Sequence, residues 1–286
     1  MNRTSSTPQG AYDRCPRDFW YQNRPRAPKP VQPNAAMAFG TVFHAFMEFR
    51  GHRGRWPTKG EFTAMTGTYD DPIDSIRRFP KVYAPALHSA QWLYANRPDL
   101  TTFDDDVEFE KPLDDFGLML GDGVTASGYL DVFLPSRRTI RDYKTRSSFS
   151  YCPRTLDDFM QDSQQCYYGA AVAKAMGWDS IRVEHVNILR PEKGGPDVLQ
   201  VGVELPIAYL EECWEKLDLQ TIPDMVQLLT LTDERDVPVS RGACWRYGKC
   251  QHFDYCGQTH AEIDDNPLAF FNSAVADATD PFDGVF

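Results

Sequence analysis

The sequence predicts an α/β fold in which a central mixed β-sheet is flanked by helices. Segments with alternating apolar residues interchange with helical segments along the chain, which is the order typical of this class. In the middle of the chain, two short strands separated by a tight turn predict a hairpin within the sheet. The 286 residues, 42% hydrophobic and 13% aromatic, suffice for one good-sized core, and no second full domain is required.

Five helical segments are predicted. The first precedes residues 25–33, which are rich in proline and predict an extended connector. The third has breaks near Gly67 and Pro80 and is expected to cover one side of the sheet. The fourth ends at Gly177, as helices commonly end at glycine. The predicted helices are residues 9–23, 35–50, 58–98, 154–176 and 206–229.

The predicted strands are rich in aromatic and β-branched residues or alternate in polarity. Two early strands precede the hairpin, whose turn is Pro135–Arg138, and two later strands follow the fourth helix. The predicted strands are residues 105–112, 116–120, 128–134, 138–143, 181–189 and 198–205.

The hairpin carries the most informative residues of the chain. Side chains alternate faces along a strand, so Asp142 and Lys144 point the same way, while Tyr143 points away and leaves its carbonyl free for a metal. If Asp131 lies across the turn on that face, the hairpin holds two carboxylates and a cation in one small volume. Hard oxygen ligands of this kind suit Mg²⁺ or Mn²⁺. The alternative is a surface ion pair between Asp142 and Lys144.

Two other segments add candidate site residues. His44 stands among apolar residues after Gly40 in a helical segment, and its imidazole would tilt metal preference toward manganese, although a lone histidine there is often a core residue. Gln164 and Tyr168 are four apart and share one helix face, which Gln161 extends by a turn. The alternative for this face is the polar edge of an amphipathic helix. Glu108 and Glu110 lie on an early strand and could supply an additional acid, but they are not chosen as site residues.

Seven cysteines are an odd count in a reducing compartment and favour metal or cluster ligation over a disulfide framework. Four thiolates suit a [4Fe–4S] cluster, with zinc held by His252 or His260 in place of one thiolate as the rival. The other three cysteines, Cys152, Cys166 and Cys213, are interpreted as core or helix residues. The candidate cluster ligands are Cys15, Cys244, Cys250 and Cys256.

In their order along the chain, from Cys15 to Cys256, these motifs resemble the PD-(D/E)XK nucleases of the RecB and Cas4-like branch, in which an iron–sulfur cluster joins the two ends of the nuclease domain. The resemblance implies a restriction-endonuclease-like core with an N-terminal helical region and an iron–sulfur staple. It also implies metal ligation by His44, Asp131 and Asp142, a catalytic Lys144, and contact of the Gln164 and Tyr168 helix with the scissile strand. The first gap between the C-terminal cysteines is usually two residues in this family, so five here is a departure.

The charge of the chain is unevenly distributed. The net charge is −11, yet the first 60 residues carry ten Lys or Arg against three acids. The residues after His260 carry six acids and no Lys or Arg. The basic N-terminal part is predicted to contact DNA phosphates, with a solvated basic surface as the alternative. The candidate DNA-binding residues are Arg14, Arg17, Arg24, Arg26, Arg50 and Arg53.

The chain is expected to divide into four parts. Residues 1–34 form the N-terminal helix and connector, residues 35–240 the nuclease core with the helical insertion at about 58–98, and residues 241–260 the cysteine loop. Residues 261–286 form a flexible acidic tail, which either recruits a recombination or replication protein or only keeps the chain solvated. No apolar run approaches the ~20 residues of a membrane span and the start lacks a signal-peptide core, so a cytoplasmic protein without membrane contact is expected.

These expectations favour a metal-dependent DNA exonuclease that acts on DNA ends or single strands in recombination, repair or replication and is compatible with a phage origin. One alternative is a Cas4-like endonuclease that trims overhangs. The other is a non-catalytic iron–sulfur DNA-binding module.

Overall fold

The computed structural model of the chain describes residues 3–4, 6–23, 35–64, 79–101, 106–150, 152–191, 195–244, 250, 252 and 256. The strands are β1 (Arg3–Thr4), β2 (Glu108–Pro112), β3 (Met119–Leu120), β4 (Val124–Ala126), β5 (Tyr129–Leu134), β6 (Thr139–Arg146), β7 (Ser180–Leu189) and β8 (Val198–Pro206). The helices are α1 (Ser6–Arg14), α2 (Pro16–Gln22), α3 (Ala35–Arg53), α4 (Lys59–Ala64), α5 (Tyr83–Asn96), α6 (Pro98–Thr101), α7 (Leu156–Met160), α8 (Ser163–Met176), α9 (Ile207–Lys216) and α10 (Ile222–Thr230).

A five-stranded mixed sheet forms the centre, in the order β2-β5-β6-β7-β8. β6 and β7 run parallel, and the other neighbours are antiparallel. β5 and β6 form the predicted hairpin around a short 3₁₀ turn, Pro135–Arg137. A second, small sheet joins β1, β4 and β3. The predicted fold class, an α/β protein with a central mixed sheet and flanking helices, is therefore confirmed.

Helices cover both faces of the central sheet. On one face, α3 and α5 pack in an apolar cluster that includes Tyr143 of β6 and Val186 of β7. On the other face, α1, α2, α8, α9 and α10 pack in a larger cluster that includes Ile140 and Val183 of the same strands. The strands alternate between the two clusters because successive side chains point to opposite faces. None of the described helices has both the length and the apolar content that crossing a membrane needs.

Two of the predicted helices are each divided. Residues 9–23 form α1 and α2, because Cys15 has an extended backbone and Pro16 starts a new helix. Residues 154–176 form α7 and α8, because Asp162 interrupts the run and caps α8 by accepting a hydrogen bond from the Gln164 N–H at 2.9 Å. Gly177 ends α8 as predicted, in the left-handed conformation. The prediction that Gln161 extends the face of Gln164 is therefore wrong, since Gln161 precedes the helix.

Other element predictions hold in part. The expected strand at 116–120 is wrong at its start: Leu113–Phe116 form a 3₁₀ turn and only Met119–Leu120 form a strand, in the small sheet. The helical insertion contains α4 and α5, and residues 65–78 lie outside the described part of the chain. The last predicted helix is continuous but has a π-helical segment, Leu217–Thr221, between α9 and α10.

Cys166 of α8 and Cys213 of α9 form a disulfide across a sequence separation of 47 residues. The interpretation of these two residues as unpaired core or helix cysteines is therefore wrong. Their pairing depends on the packing of α8 against α9, and the spacing of the cysteines in the sequence does not predict that packing.

Replacing Cys213 by serine is expected to lower the free energy of unfolding by about 2–4 kcal/mol under oxidising conditions, since a cross-link of this length restricts the unfolded chain. Urea unfolding with and without dithiothreitol measures the effect. Cys152→Ser is the matched control, because Cys152 is a buried free cysteine. A Cys213→Ser deficit that is equally large with the reductant would contradict the cross-link.

Candidate metal centre and catalytic cleft

The functional side chains converge where α3, β2, β5, β6 and α8 meet. α3 approaches β6 closely at Gly40, where a Cβ atom would stand 3.0 Å from the Thr145 hydroxyl. One helical turn later, His44 Nδ1 lies 3.3 Å from Asp131 Oδ2 of β5. Of the predicted metal ligands, the structure thus brings the imidazole and the first hairpin carboxylate together.

The backbone of β6 holds Asp131 in place. The Tyr143 N–H donates a hydrogen bond to Asp131 Oδ2 at 2.8 Å. The Tyr143 ring points to the opposite face, where its hydroxyl donates to the Leu100 carbonyl at 3.0 Å and the side chain is buried. The predicted alternation of Asp142, Tyr143 and Lys144 is therefore observed, while metal ligation by the Tyr143 carbonyl stays a prediction.

Asp142, Lys144 and Gln164 form a closed triangle of polar contacts. Lys144 Nζ lies 2.9 Å from Asp142 Oδ1 and donates to Gln164 Oε1 at 2.8 Å. The Gln164 amide donates in turn to Asp142 Oδ1 at 2.9 Å. The second oxygen, Asp142 Oδ2, is buried and has no hydrogen-bond partner among the described residues. Burying a carboxylate oxygen that accepts no hydrogen bond costs free energy unless a cation binds it.

The protonation states of Lys144 and Asp142 are set by burial, by each other and by nearby charged groups. Burial alone would lower the pKa of Lys144, but the carboxylates of Asp142 and Asp131 outweigh burial and raise it. Burial alone would raise the pKa of Asp142, but the ammonium of Lys144 and the nearby His185 outweigh it and lower that pKa. Lys144 is therefore a cation, and Asp142 an anion, across the physiological pH range.

Glu110 of β2, which was named from the sequence as an additional acid but not chosen as a site residue, lies in the candidate metal centre. His44, Glu110 and Asp131 each offer one ligand atom, and these atoms lie within 4.8 Å of one another. Glu110 stands opposite Asp131, between the paired positions Phe109–Val132 and Lys111–Leu130. Its backbone φ is 47°, a left-handed conformation that costs a non-glycine residue free energy and that often marks functional sites. Glu110 Oε2 is buried and lacks a hydrogen-bond partner among the described residues.

The carboxylates of this centre repel one another. Burial raises the pKa of Glu110 to about 9, and the negative charges of Asp131, Glu48 and Asp142 add to the effect. Burial also raises the pKa of Asp131 to about 6, with His44 opposing and Asp142 reinforcing the rise. Clustered oxygen donors with one imidazole and orphaned carboxylate oxygens fit a divalent cation such as Mg²⁺ or Mn²⁺. Such a cation would relieve both the burial and the repulsion.

Tyr168, the other predicted residue of α8, packs against the hairpin entrance at Gly128. Its side chain is 9% exposed. Gly128 has φ 130°, and a Cβ atom there would stand 2.8 Å from the Tyr168 hydroxyl oxygen. Gly128 thus lets α8 approach the start of β5, three residues before Asp131, and a direct catalytic part for Tyr168 stays a prediction.

Replacing Gly128 by alanine is expected to destabilise the protein by about 1–3 kcal/mol because of backbone strain. Displacement of Tyr168 and α8 is also expected to reduce the DNA cleavage that the sequence predicts. Thermal unfolding and a cleavage assay on the same preparation measure both effects. Gly60→Ala is the control, since a Cβ atom at Gly60 has no neighbour within 4 Å. Wild-type stability and activity in Gly128→Ala would refute the close approach.

Of the neighbouring glutamines, Gln165 serves the core rather than the cleft. Its side chain lies 2.6 Å from His185 Nε2, and both residues are buried. Gln164 is therefore the glutamine of α8 that reaches the triangle with Asp142 and Lys144.

The predicted cluster cysteines come from both ends of the described chain. The Ser240 N–H donates to Cys15 Sγ at 3.4 Å, and the Cys250 N–H donates to the Cys244 carbonyl at 2.8 Å. Burial raises the pKa of Cys250, with Asp18, Cys15 and Cys256 adding their negative charge, so at least these three thiols are electrostatic neighbours. Cys15, Cys244 and Cys256 are buried.

The predicted DNA-binding arginines have different environments. Arg17 is 5% exposed and donates to the Val237 carbonyl at 2.7 Å and to Cys256 Sγ at 3.4 Å, so its predicted DNA contact is wrong. Arg14 is exposed but pairs with Asp18 at 2.8 Å. Arg50 lies over the Tyr94 ring, and Arg53 is exposed. Arg24, Arg26 and the acidic tail, 261–286, lie outside the described residues.

Comparisons with known proteins agree with this architecture. The family model described as the PD-(D/E)XK nuclease superfamily matches residues 3–257. The crystal structure of a proposed exonuclease from Eubacterium rectale aligns with a TM-score of 0.55 at 12% identity, over 89% of this chain and 88% of that chain. A phage-related exonuclease from Haemophilus somnus 129PT, with a TM-score of 0.28 at 12% identity over 70% of this chain and 97% of that chain, is too dissimilar to support any conclusion. A search of curated proteins finds no match.

Proposed function

The chain belongs to the PD-(D/E)XK nuclease superfamily, and on that premise we propose that it is a Mg²⁺- or Mn²⁺-dependent deoxyribonuclease that degrades DNA from ends or in single strands. The observation that carries the proposal is the juxtaposition of two groups of residues. His44, Glu110 and Asp131 offer ligand atoms to one cation. Lys144 lies 2.9 Å from Asp142 and close enough to Asp131 for that carboxylate to raise the Lys144 pKa.

The proposed ligands are His44, Glu110, Asp131 and Asp142, with the Tyr143 carbonyl as a further donor. A bound divalent cation supplies charge neutralisation on the scissile phosphate and lowers the pKa of water. Asp142 has two tasks in this arrangement. Its Oδ1 holds Lys144 and Gln164, and its Oδ2 is left for the cation.

Lys144 serves as a positioned cation. The Asp142 and Asp131 carboxylates raise its pKa, so in the metal-free site it is protonated. We assign it to orient the attacking water and to stabilise the negative charge that develops on the phosphoryl oxygens. Gln164 is a positioning residue, because its amide holds the Lys144 ammonium on one side and Asp142 on the other.

Exonuclease action is placed ahead of endonuclease action because the Eubacterium rectale protein of similar fold is described as an exonuclease. We place the activity in recombination, repair or replication, processes that generate DNA ends.

The experiment compares linear and circular single-stranded DNA with Mg²⁺ or Mn²⁺. Degradation of the linear DNA alone supports the exonuclease. Equal cleavage of circular DNA would indicate an endonuclease of the Cas4-like kind, and inactivity on both would indicate a non-catalytic DNA-binding module.

We also propose that Cys15, Cys244, Cys250 and Cys256 hold a [4Fe–4S] cluster that ties the two ends of the nuclease together. The proposal is supported by the proximity of thiols from the two ends of the chain, since the charges of Cys15 and Cys256 add to burial in raising the pKa of Cys250. Arg17, beside Cys256, would offset thiolate charge.

The absorbance spectrum of anaerobically purified protein tests the cluster. A broad band near ~400 nm supports thiolate-bound iron. A colourless protein with stoichiometric zinc would assign the site to zinc instead.

A further inference from the structure

Three arginines, Arg146, Arg154 and Arg190, lie around the carboxyl ends of β6 and β7. The Arg190 N–H donates to the Arg146 carbonyl at 3.1 Å. Arg146 and Arg154 both lie near Cys152, since the two guanidinium groups oppose the rise that burial causes in the Cys152 pKa. The Arg146 and Arg154 side chains therefore lie close together at this edge of the sheet, next to the backbone of Arg190, and we call these three residues the arginine edge.

The arginine edge is not neutralised by acids. Within the described part of the chain, the side chains of the arginine edge make no ion pair; Arg146 Nε donates to the neutral Asn187 amide oxygen at 3.3 Å and Arg154 to the Phe149 carbonyl at 3.4 Å. Several other arginines of the described chain pair with carboxylates, as expected in a chain with a net charge of −11. Such pairs are Arg3–Asp114, Arg14–Asp18, Arg55–Glu61, Arg97–Asp99, Arg138–Asp179, Arg141–Glu184 and Arg235–Asp233.

The arginine edge begins next to the catalytic triangle. Arg146 follows Lys144 by two residues on β6, so alternation places its side chain on the face of Asp142 and Lys144, about 7 Å farther along the strand. Asn187, which anchors Arg146, is the β7 partner of Lys144 in the sheet register. A neutral amide fixes the guanidinium without cancelling its charge, which leaves that charge for an anion.

We propose that Arg146 and Arg154 bind the backbone phosphates of the DNA strand that flank the scissile phosphate. The inference rests on the proposed function and assigns these arginines as positioning residues. An extended DNA strand that crosses Lys144 meets Arg146 at roughly its next phosphate. The contact is to the backbone, so it carries no sequence preference.

The test measures DNA binding separately from cleavage. Fluorescence anisotropy with a labelled single-stranded oligonucleotide, in Ca²⁺ without Mg²⁺ or Mn²⁺ and over a range of salt, gives the affinity and its salt dependence. Arg146→Gln with Arg154→Gln is expected to weaken binding about tenfold and to reduce the slope of log K against log salt by about 1–2, since two phosphate contacts are lost. The single variant Arg146→Lys, which keeps the positive charge but lacks the several N–H donors of a guanidinium, is expected to retain most of the wild-type salt slope.

Arg138→Gln is the matched control, because Arg138 is an exposed arginine near the other end of β6 and pairs with Asp179. In cleavage assays the double variant should raise KM with little change in kcat. Affinity and slope equal to those of Arg138→Gln would overturn the inference, even if wild type cleaves DNA. Weakened binding in the double variant would support it even if wild type proved unable to cleave, so the two proposals fail separately.

Discussion

Replacing Lys144 by alanine is expected to slow DNA cleavage by at least about 10²–10³-fold, while the affinity for uncleaved DNA changes no more than a few-fold. Lys144 is the ammonium in the triangle with Asp142 and Gln164. Its loss removes the charge that faces the phosphoryl oxygens when negative charge develops on them. Single-turnover cleavage at saturating protein, with anisotropy binding on the same oligonucleotide, separates the two effects.

The same substitution changes Asp142. Lys144 is the main group that lowers the pKa of Asp142 against burial, so in Lys144→Ala that pKa rises and cation binding weakens at low pH. Cleavage should therefore be compared at about pH 8 with saturating Mn²⁺. Lys174→Ala is the matched control, because Lys174 lies over the Trp214 ring on the far part of α8. Cleavage by Lys144→Ala at the wild-type rate would remove Lys144 from the mechanism.

The part of the site that could be predicted from the sequence is the part that local periodicity determines. Two-residue alternation in β6 places Asp142 and Lys144 on one face and Tyr143 on the other. Four-residue periodicity in α8 gives Gln164 and Tyr168 a common direction. The hairpin turn is short, so Asp131 had few alternatives to a place beside Asp142. Most element types follow from the same periodicities, whereas the 3₁₀ turn Leu113–Phe116 and the helix breaks at Cys15 and Asp162 do not.

The part that escaped prediction depends on contacts between distant segments. Glu110 joins the centre because β2 pairs with β5 in a register that sets it opposite Asp131, and the sequence of β2 does not reveal that register. Arg17 is buried because α2 packs against the segment around Val237, although the basic charge of the N-terminal part predicted that Arg17 lies on the surface. The one available signal for Glu110 was an acid within a short strand of the sheet.

Replacing Glu110 by glutamine is expected to stabilise the metal-free protein at alkaline pH and to weaken its binding of Mn²⁺. The folded state raises the Glu110 pKa from 4.5 to about 9. Below about pH 4.5 the carboxyl is protonated in both the folded and the unfolded state, so it costs no stability there. As the pH rises from 4.5 toward 9, the unfolded state ionises while the folded state stays protonated, and the free energy of unfolding falls. Each unit by which the pKa is shifted corresponds to about 1.4 kcal/mol, and relaxation of the protein around the charge lowers this cost. A gain in the free energy of unfolding on the order of 3 kcal/mol is therefore expected for Glu110→Gln at pH 8.5.

Chemical unfolding of wild type and Glu110→Gln in EDTA, at pH 5 and at pH 8.5, measures this gain, which should be small at pH 5. Glutamine retains a side chain at φ 47°, so the comparison isolates charge from backbone strain. With Mn²⁺ added, wild type should gain more stability than the variant, because binding stabilises in proportion to affinity. Glu108→Gln is the matched control, since Glu108 lies on the same strand and pairs with Lys111 at 2.8 Å. A Glu110→Gln protein less stable than wild type at both pH values would show that Glu110 supports the fold rather than a cation, because a ligand cluster built for a cation costs stability when the cation is absent.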